Sequence, residues 1–313
     1  MTAIDGTPIR IAIVGVGKIA RDQHVPAISG SHAFDLAATV SRSGGIPAIE
    51  NFAEFAELLA ARPDVSAVSL CMPPQVRFAA AAAAIRAGRH VMLEKPPGAT
   101  VAEVRTLRQM AEAEGVTLYA TWHSRHADAV APAKAWLRDR KIVSVRIDWK
   151  EDVRKWHPGQ AWIWEPGGLG VFDPGINALS ILTEILPAPV HLTGAELHFP
   201  ENRAAPIAAA LTFEGPDGVN VTAEFDWRQE GGEIWQIAVD TADGRLDLDD
   251  GGARLTVGGA PQAVDGPGEY PGLYARFAAL IAAGDSDVDD TPLVRVADAF
   301  MLGRRLTVAP FND

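Results

Sequence analysis

Cysteine is almost absent from this sequence, since Cys71 is the only one among 313 residues. A single thiol cannot close an intramolecular disulfide, and it cannot supply a cysteine-rich metal site. The fold must therefore be held by its apolar core, for which a hydrophobic content of 48% is sufficient. We expect no metal site.

Long apolar runs are also missing. No run approaches the ~20 residues that span a bilayer, and the alanine tract Ala79–Ala84 is short and favours a helix. The segment Thr7–Val16 lacks the basic flank and the cleavage motif of a signal peptide. We therefore expect a cytoplasmic protein that does not bind a membrane.

Positive charge is scarce. The chain has 28 Lys and Arg residues against 40 Asp and Glu residues, and its net charge is −12. Because phosphate backbones select basic surfaces, this balance argues against a nucleic-acid partner and leaves a small polar substrate open. The length exceeds that of one ordinary core, so we expect two domains.

One local pattern is highly informative. The apolar run Ile11–Val14 is typical of a buried parallel strand, and it ends in Gly15-x-Gly17-x-x-Ala20, where a helix can start. Gly15 permits a tight turn, Gly17 lets the backbone approach a pyrophosphate, and Ala20 allows close packing of helix on strand. The N–H groups at the helix start can bind the anion. The pattern predicts a dinucleotide site, and a purely structural glycine turn is the alternative.

Strands and helices alternate up to residue 122, which predicts a doubly wound α/β domain of the Rossmann type over residues 1–122. Pro26 lacks a backbone N–H and predicts the end, or a kink, of the first helix. Thr100 is a predicted N-cap, and Gly115 a predicted helix end. The predicted strands are Ile11–Val14, Asp35–Val40, Val65–Cys71, His90–Leu93 and Val116–Thr121, and the predicted helices begin near Lys18, Phe52, Gln75 and Thr100.

Residues 123–313 have a different character. Apolar and polar residues alternate in the runs Ile207–Phe213 and Val221–Trp227, with turn signals between them. This predicts an α+β domain that binds substrate, with a large, mainly antiparallel open sheet covered by helices on one face. A homodimer through the exposed face of that sheet is plausible. The acidic run Asp285–Asp290 is interpreted as a solvated loop, with a metal site as the weaker alternative.

Lys95 is the first candidate for chemistry. It lies in Glu94-Lys95-Pro96-Pro97, directly after the predicted strand His90–Leu93. Ligands of an open α/β sheet lie beyond the carboxyl ends of its strands, so Lys95 is well placed for a bound substrate. The alternative is a surface lysine before a proline turn.

The second candidate is the segment Gly167–Asn177. Its glycines let the backbone crowd a ligand or another strand. Asp173 and Asn177 are four residues apart and would share one face of a helix. However, Asp173 precedes Pro174, so it could instead be an N-cap followed by a first-turn proline.

A third candidate combines tryptophan with charge. Four of the eight tryptophans, Trp149, Trp156, Trp162 and Trp164, lie close together, near Glu151 and His157. Indole faces suit the apolar faces of a sugar ring, and charged neighbours suit its hydroxyls. A tryptophan-rich core with a packed histidine is the alternative, and the same ambiguity applies to His123.

Taken together, these motifs resemble the glucose–fructose oxidoreductase, inositol dehydrogenase and rhizopine-catabolism (Gfo/Idh/MocA) family. The resemblance is carried by the glycine motif, His24-Val25-Pro26-Ala27, Glu94-Lys95-Pro96 and Gly167–Asn177, and it covers almost the whole chain. Within the family, the chain looks most like bacterial aldose 1-dehydrogenases that act on L-arabinose and D-galactose.

The resemblance implies hydride transfer from the anomeric carbon of a monosaccharide to a nicotinamide, giving a lactone. Lys95 matches the catalytic lysine of the family and Asp173 its aspartate, whereas Asn177 replaces the usual histidine. Since an amide cannot accept a proton at neutral pH, proton removal falls to Lys95 or Asp173. Glu151, Trp156 and His157 match positions that contact the sugar, and His123 joins them as a substrate-binding candidate.

The cofactor can be argued from the residues after the second strand. Ser41 can hydrogen-bond a phosphate and Arg42 can neutralise it, so we expect NADP to be preferred and NAD to be usable. The predicted cofactor-binding residues are Gly15, Gly17, Lys18, Ile19, Ser41, Arg42, Cys71, Pro73, Glu94 and Lys95.

Two alternatives stay open at this point. One is oxidation of an inositol or another sugar at a ring carbon other than C1. The other is a non-catalytic NADP-binding sensor, which would need no ionisable pair such as Lys95 and Asp173.

Overall fold

The computed structural model of the chain describes residues 7–312. These residues form two compact units. The first takes the described residues up to His123 together with Tyr270–Asp290, and the second takes Ser124–Glu269 and the described residues from Thr291 onward. The sequence predicted a single division between residues 122 and 123, whereas the compact units also group Tyr270–Asp290 with the N-terminal segment.

The elements follow in chain order. Up to residue 123 they are β1 Ile9–Val14, α1 Val25–Ser29, β2 Phe34–Val40, β3 Asn51–Phe52, α2 Phe55–Ala61, β4 Ala67–Leu70, α3 Pro74–Arg86, β5 His90–Leu93, α4 Val101–Glu114 and β6 Leu118–Ala120. The later ones are α5 Val130–Leu137, β7 Ile142–Lys150, α6 Val153–Trp156, α7 Phe172–Ile185, β8 His191–Pro200, β9 Ala208–Glu214, β10 Asn220–Asp226, β11 Ile234–Thr241, β12 Gly244–Asp249, β13 Arg254–Val257, β14 Ala260–Gln262, α8 Glu269–Ala283, α9 Thr291–Leu302 and β15 Arg304–Val308.

The first unit is built on a six-stranded sheet of order β3-β2-β1-β4-β5-β6. Every neighbouring pair is parallel. The strand order reverses at β1, because β2 lies on one side of it and β4 on the other, which is the topological switch point of a doubly wound sheet. The predicted Rossmann fold is therefore confirmed.

The helix after the glycine motif does not end at Pro26. A π-helical turn over Ala20–His24 leads into α1, in which Pro26 is the second residue. A wider turn before the proline relieves the clash that a proline ring makes inside a regular helix. The helix therefore continues to Ser29.

Helix ends were predicted with more success. The Thr100 side chain accepts a hydrogen bond from the Glu103 N–H, and Gly115 ends α4 in the left-handed region with φ of 66°. The helix predicted to begin near Phe52 begins at Phe55 instead, because Phe52 pairs with Val40 as a short edge strand.

The helix α8 belongs to the first unit because its apolar face completes the core of that sheet. Leu273, Tyr274 and Phe277 are fully buried and pack in the same cluster as Ile11 and other residues of β1. The Phe277 ring also stacks on Phe34, with 5.7 Å between ring centroids. Because these contacts join residues more than 200 positions apart, local sequence patterns could not assign α8 to either sheet.

The acidic run after α8 is not simply a solvated loop. Asp287 accepts a hydrogen bond from the Ala120 N–H (2.9 Å) and donates one to the Leu118 carbonyl (3.1 Å), so it extends the sheet beyond β6. Arg276 and Arg105 neutralise carboxylates of this run. Within residues 7–312, no group of three or more His, Cys, Asp or Glu side chains could hold a metal ion.

The second unit contains a nine-stranded sheet of order β14-β13-β12-β11-β7-β10-β9-β8-β15. Most pairs are antiparallel, as predicted, but β10 with β7 and β15 with β8 are parallel. The helix α7 lies close against one face, where a Cβ at Gly175 would be 2.8 Å from the Phe225 ring. The predicted α+β domain with an open sheet is confirmed.

The other face of this sheet carries polar side chains. Lys150 pairs with Glu224 (2.8 Å) and Asp148 (3.1 Å), and Arg146 pairs with Asp148 (2.7 Å). The homodimer through this face stays a prediction. Across residues 7–312, no helix combines the length and the apolar character required to cross a membrane.

Candidate active site

The glycine turn after β1 is shaped by a close approach of two strands. Gly15 has φ of 92°, and a Cβ at this position would lie 2.8 Å from the Met72 N atom. The Cys71 N–H donates to the Val14 carbonyl (2.8 Å), which holds the two strand ends together. Gly15 is therefore required by the protein's own backbone.

Gly17 is different, because nothing lies within 4 Å of a Cβ built on it, and its φ is not in the left-handed region. The protein itself does not explain a glycine at this position, whereas an approaching pyrophosphate does. The helix begins at Lys18, and the neighbouring Ile19 leaves 38% of its surface exposed, which is unusual for a large apolar residue. The turn fits a dinucleotide.

Ser41 and Arg42 follow β2, as predicted, in an exposed loop. The Ser41 hydroxyl accepts a hydrogen bond from the Ser43 N–H (3.3 Å). The guanidinium of Arg42 donates twice to one oxygen of Glu54, at 3.0 and 2.8 Å. Because this ion pair is largely exposed, it is worth only about 0–1 kcal/mol and yields easily to a phosphate.

Cys71 and Pro73 lie just after β4, beside the glycine turn. Cys71 is half-buried, and its Sγ lies 3.6 Å from the Ser69 hydroxyl. Pro73 is the N-cap residue of α3. Their contact with a cofactor, like that of Lys18, stays a prediction.

Lys95 follows β5, and its backbone is held by buried polar groups. Its N–H donates to Oε2 of Glu94 (2.6 Å). The other carboxylate oxygen of Glu94 accepts from the Tyr270 hydroxyl (2.7 Å) and contacts Nε2 of His24 (3.1 Å). The guanidinium of Arg77 donates to the carbonyls of Glu94 and Pro96.

Glu94 and His24 form a buried ion pair. Burial raises the pKa of Glu94, but hydrogen bonds from His24 and Tyr270 lower the pKa well below its usual range. Burial of the imidazole lowers its pKa, but its contacts with Cys71, Tyr274 and Glu94 raise the pKa well above its usual value. The pKa of each group is therefore displaced toward its charged form, and the donors around Glu94 stabilise the carboxylate.

His123, predicted to bind substrate, stacks on the Tyr270 ring with 5.4 Å between ring centroids. It ends the N-terminal segment of the first unit, and its electrostatic interaction with Glu94 contributes to the low pKa of that carboxyl. The structure thus connects His123 to the surroundings of Lys95, although its contact with a substrate stays a prediction.

In the second unit, Asp173 is paired with His157. Asp173 is the second residue of α7, and Val171 occupies the N-cap position without a side-chain hydrogen bond. The alternative interpretation of Asp173 as an N-cap is therefore wrong. The buried carboxylate of Asp173 instead lies 3.1 Å from Nε2 of His157.

The other ring nitrogen of His157 also faces an acceptor. Its Nδ1 lies 3.3 Å from Oε1 of Gln160, and that oxygen accepts a hydrogen bond from Nε1 of Trp162 (3.0 Å). Because an indole N–H can only donate, the Gln160 atom must be the oxygen. Both ring nitrogens of His157 can donate only in the doubly protonated imidazolium, so the arrangement fits an ion pair with Asp173.

Asn177 lies one turn after Asp173 on α7, as predicted, and is half-buried. Its carbonyl accepts a hydrogen bond from the Ser180 hydroxyl (2.7 Å) within the helix. The amide side chain can both donate to and accept from a sugar hydroxyl. The imidazole near Asp173 comes from His157 and not from the helix position of Asn177.

Glu151 is buried among indole rings. Its Oε1 accepts from Nε1 of Trp227 (3.2 Å), and its Oε2 accepts from Nε1 of Trp235 (3.0 Å). Each carboxylate oxygen can accept more than one hydrogen bond, so Glu151 can also bind a hydroxyl. Trp156 packs against Trp235 with 5.6 Å between ring centroids.

Three residues of this cluster were not predicted from the sequence: Gln160, Trp227 and Trp235. Each is brought to Glu151 or His157 by the sheet or by the turn after α6. The alternation that predicted the strand Val221–Trp227 is a signal for the burial of Trp227. The alternation contains no information about which group accepts the hydrogen bond from the Trp227 indole.

The glycines of Gly167–Asn177 are explained by the backbone. A Cβ at Gly168 would lie 2.2 Å from the Trp162 carbonyl oxygen, and one at Gly170 would lie 2.3 Å from the Pro206 carbonyl oxygen. These glycines therefore crowd other segments of the same unit, which leaves Asp173 and Asn177 as the candidates for ligand contact.

The chain is similar in sequence and structure to several known proteins. Residues 9–121 match the family model described as "Oxidoreductase family, NAD-binding Rossmann fold". Galactose 1-dehydrogenase from Pseudomonas fluorescens is 49% identical over 308 residues, which cover 98% of this chain and 99% of that protein. A D-galactose-1-dehydrogenase protein from Rhizobium etli, known from a crystal structure, is 56% identical over 98% of both chains, with a TM-score of 0.93.

A more distant structure, a variant 3-ketoreductase from Actinomadura kijaniata in complex with TDP-benzene and NADP, has a TM-score of 0.83 at 19% identity. It covers 96% of this chain and 99% of that chain, and it supports the fold. The fold and these matches define an oxidoreductase with a nicotinamide-dinucleotide domain. The chain belongs to the Gfo/Idh/MocA oxidoreductase family.

A methyl group added at Gly17 should affect cofactor binding, whereas one added at Gly15 should affect stability. Gly17→Ala should weaken NADP binding about tenfold or more, because its Cβ enters the open space above the turn, and should leave the melting temperature unchanged. Gly15→Ala should destabilise the protein by about 1–3 kcal/mol because of its φ and the contact with Met72. Fluorescence titration and thermal unfolding measure the two effects. Unweakened binding by Gly17→Ala would contradict the assignment.

The charge on His157 can be measured directly. In protein labelled with ¹⁵N-histidine, NMR at neutral pH should show both ring nitrogens of His157 protonated, because both face acceptors. His157→Gln assigns the signals. In Asp173→Asn, which lacks the charged partner, the ring should return to a neutral tautomer. A neutral ring in the unmutated protein would contradict the ion pair.

Proposed function

We propose that this enzyme oxidises D-galactose at C1 to the galactonolactone with a nicotinamide cofactor. The observation that carries the proposal is the similarity, along 98% of the chain, to two galactose 1-dehydrogenases at 49% and 56% identity. The similar region spans both units of the chain.

L-Arabinose is the second proposed substrate. In its pyranose form it shares the ring configuration of D-galactose and lacks only the hydroxymethyl group. The reacting C1 hydroxyl and its neighbours are therefore the same. A site that binds ring hydroxyls through carboxylate, amide and imidazole groups accepts both sugars, unless it depends on the missing group.

The reaction requires a hydride acceptor and a proton acceptor. A bound nicotinamide would supply the acceptor for the C1 hydride. We assign the proton of the C1 hydroxyl to the Asp173 carboxylate, which its pairing with His157 keeps ionised. Lys95 donates a hydrogen bond to the C1 oxygen and stabilises the negative charge that develops there.

Binding of the sugar is assigned to the polar cluster of the second unit, and His123 of the first unit is a separate candidate for substrate contact. Glu151, half-buried Trp156 and Asn177 offer acceptors, an indole face and an amide. His157 has the imidazolium geometry described above, so it donates and does not accept a proton. This separates the binding role of His157 from the proton-accepting role of Asp173.

NADP is the proposed preferred cofactor, with NAD also used. The support is the presence of Ser41 and Arg42 after β2, where an acidic residue would select NAD. Glu54 holds Arg42 only through an exposed ion pair, so a 2′-phosphate can replace it at little cost. The protein is also proposed to be cytoplasmic.

The activity is tested with a panel of aldoses and both cofactors. Reduction of NADP should be fastest with D-galactose and L-arabinose, and NAD should support a slower reaction. The product should be a lactone that opens to an aldonic acid. A ketose product would instead indicate oxidation at another ring carbon. Cofactor binding without reduction by any sugar would indicate a non-catalytic sensor.

Variants at Lys95 distinguish charge stabilisation from proton acceptance. Lys95→Ala should lower kcat about 100-fold or more, whereas Lys95→Arg should recover about tenfold of that loss, because arginine keeps the charge and cannot accept a proton at this pH. Initial-rate kinetics with D-galactose and NADP measure both. Asp173→Asn should be as damaging as Lys95→Ala. Near-normal turnover by Asp173→Asn would contradict its assignment as the proton acceptor.

A further inference from the structure

The surroundings of Lys95 include a residue from a distant part of the chain. We propose that Tyr270, on α8, is a positioning residue that orients Lys95 through Glu94. The inference rests on the proposed function, in which Lys95 acts on the substrate. It adds a residue that belongs to none of the sequence motifs.

The connection consists of two hydrogen bonds to one carboxylate. The Tyr270 hydroxyl donates to Oε1 of Glu94 (2.7 Å), and the Lys95 N–H donates to Oε2 (2.6 Å). Tyr270 and Glu94 are both buried, with exposed fractions of 4% and 3%. The carboxylate therefore cannot replace a lost donor with bulk water, and its orientation depends on the donors the protein supplies.

The opposite side of the Lys95 backbone has its own clamp. Arg77 is buried and donates to the carbonyls of Glu94 and Pro96, on either side of Lys95, and to the Met72 carbonyl. The Glu94 carboxylate binds the Lys95 N–H, which lies between these two carbonyls along the backbone. Rotation of that carboxylate would weaken its hydrogen bond with the Lys95 N–H and so remove one restraint on the Lys95 backbone.

The contact of His24 with Glu94 does not replace the hydrogen bond from Tyr270. Its Nε2 contacts the same oxygen, Oε1, that Tyr270 binds. The two donors approach from different elements, since His24 belongs to the turn before α1 and Tyr270 to α8. Without the Tyr270 hydroxyl, each carboxylate oxygen keeps a single donor, whereas two donors to Oε1 and one to Oε2 restrain the orientation of the carboxylate more strongly.

Tyr274 provides a matched control. It lies one turn further along α8, is fully buried, and its hydroxyl contacts Nδ1 of His24 (2.8 Å) and not Glu94. If that hydroxyl is removed, Nδ1 still has the Ser69 hydroxyl as a partner at 3.2 Å. Removing either tyrosine hydroxyl thus deletes one buried oxygen from the same helix, but only Tyr270 touches the carboxylate that binds Lys95.

The kinetic test compares Tyr270→Phe with Tyr274→Phe. We expect kcat for D-galactose to fall about tenfold in Tyr270→Phe with little change in KM for sugar or NADP, because substrate binding is kept and the reacting geometry is lost. Tyr274→Phe should stay within about twofold of the unmutated enzyme. Equal losses in the two variants, or no loss in Tyr270→Phe, would overturn the proposal.

A second readout does not require turnover. Reductive methylation with ¹³C-formaldehyde labels lysine amines, and Lys95→Arg identifies the Lys95 signal in the NMR spectrum. The chemical shift of that signal should change in Tyr270→Phe and not in Tyr274→Phe. Thermal unfolding establishes that both variants are folded. If Tyr270→Phe does not fold, Glu94→Gln replaces it, because an amide cannot accept from both sides as the carboxylate does.

The kinetic and NMR measurements distinguish a failure of the proposed function from a failure of the positioning role of Tyr270. If no aldose is oxidised by the unmutated enzyme, the proposed function fails while the Lys95 signal still tests the positioning. If the aldoses are oxidised and the Lys95 signal is the same in both tyrosine variants, the positioning role fails alone.

Discussion

The buried ion pair between Glu94 and His24 is the interaction on which the first unit depends. It joins three elements that the sequence separates widely: the turn after the glycine motif, the end of β5 and the helix α8. A carboxylate in such a place is costly unless it is fully hydrogen-bonded. The Glu94 carboxylate also accepts a hydrogen bond from the Lys95 N–H. One buried group therefore takes part both in the ion pair of the core and in the support of the candidate catalytic lysine.

The second unit has a comparable arrangement around Asp173. A buried carboxylate at the start of a helix would normally find its donors in the backbone N–H groups of the first turn. Here the imidazole of His157 is its observed partner, and the glycines before it let other backbone segments approach closely. A buried carboxylate is therefore paired with a histidine in each unit: Glu94 with His24 in the first, and Asp173 with His157 in the second.

Much of the architecture could be predicted from local patterns. The glycine motif, the Thr100 cap and the alternation of strands and helices are short-range signals, and each predicted an observed feature. What could not be predicted is long-range pairing. Nothing near Tyr270 indicates Glu94 as its partner, and nothing near His157 indicates Asp173, because those contacts exist only after the sheets have formed. The continuation of the helix past Pro26 required knowledge of the π-helical turn.

The position of α8 in the chain has a consequence for biosynthesis. The apolar face of β1 is complete only when Leu273, Tyr274 and Phe277 cover it. The chain must therefore leave the ribosome at least as far as α8 before the nucleotide-binding unit can finish folding, although its strands are translated first. During that interval the exposed sheet face is open to chaperones, and a nascent chain halted after residue 123 would lack the means to close it.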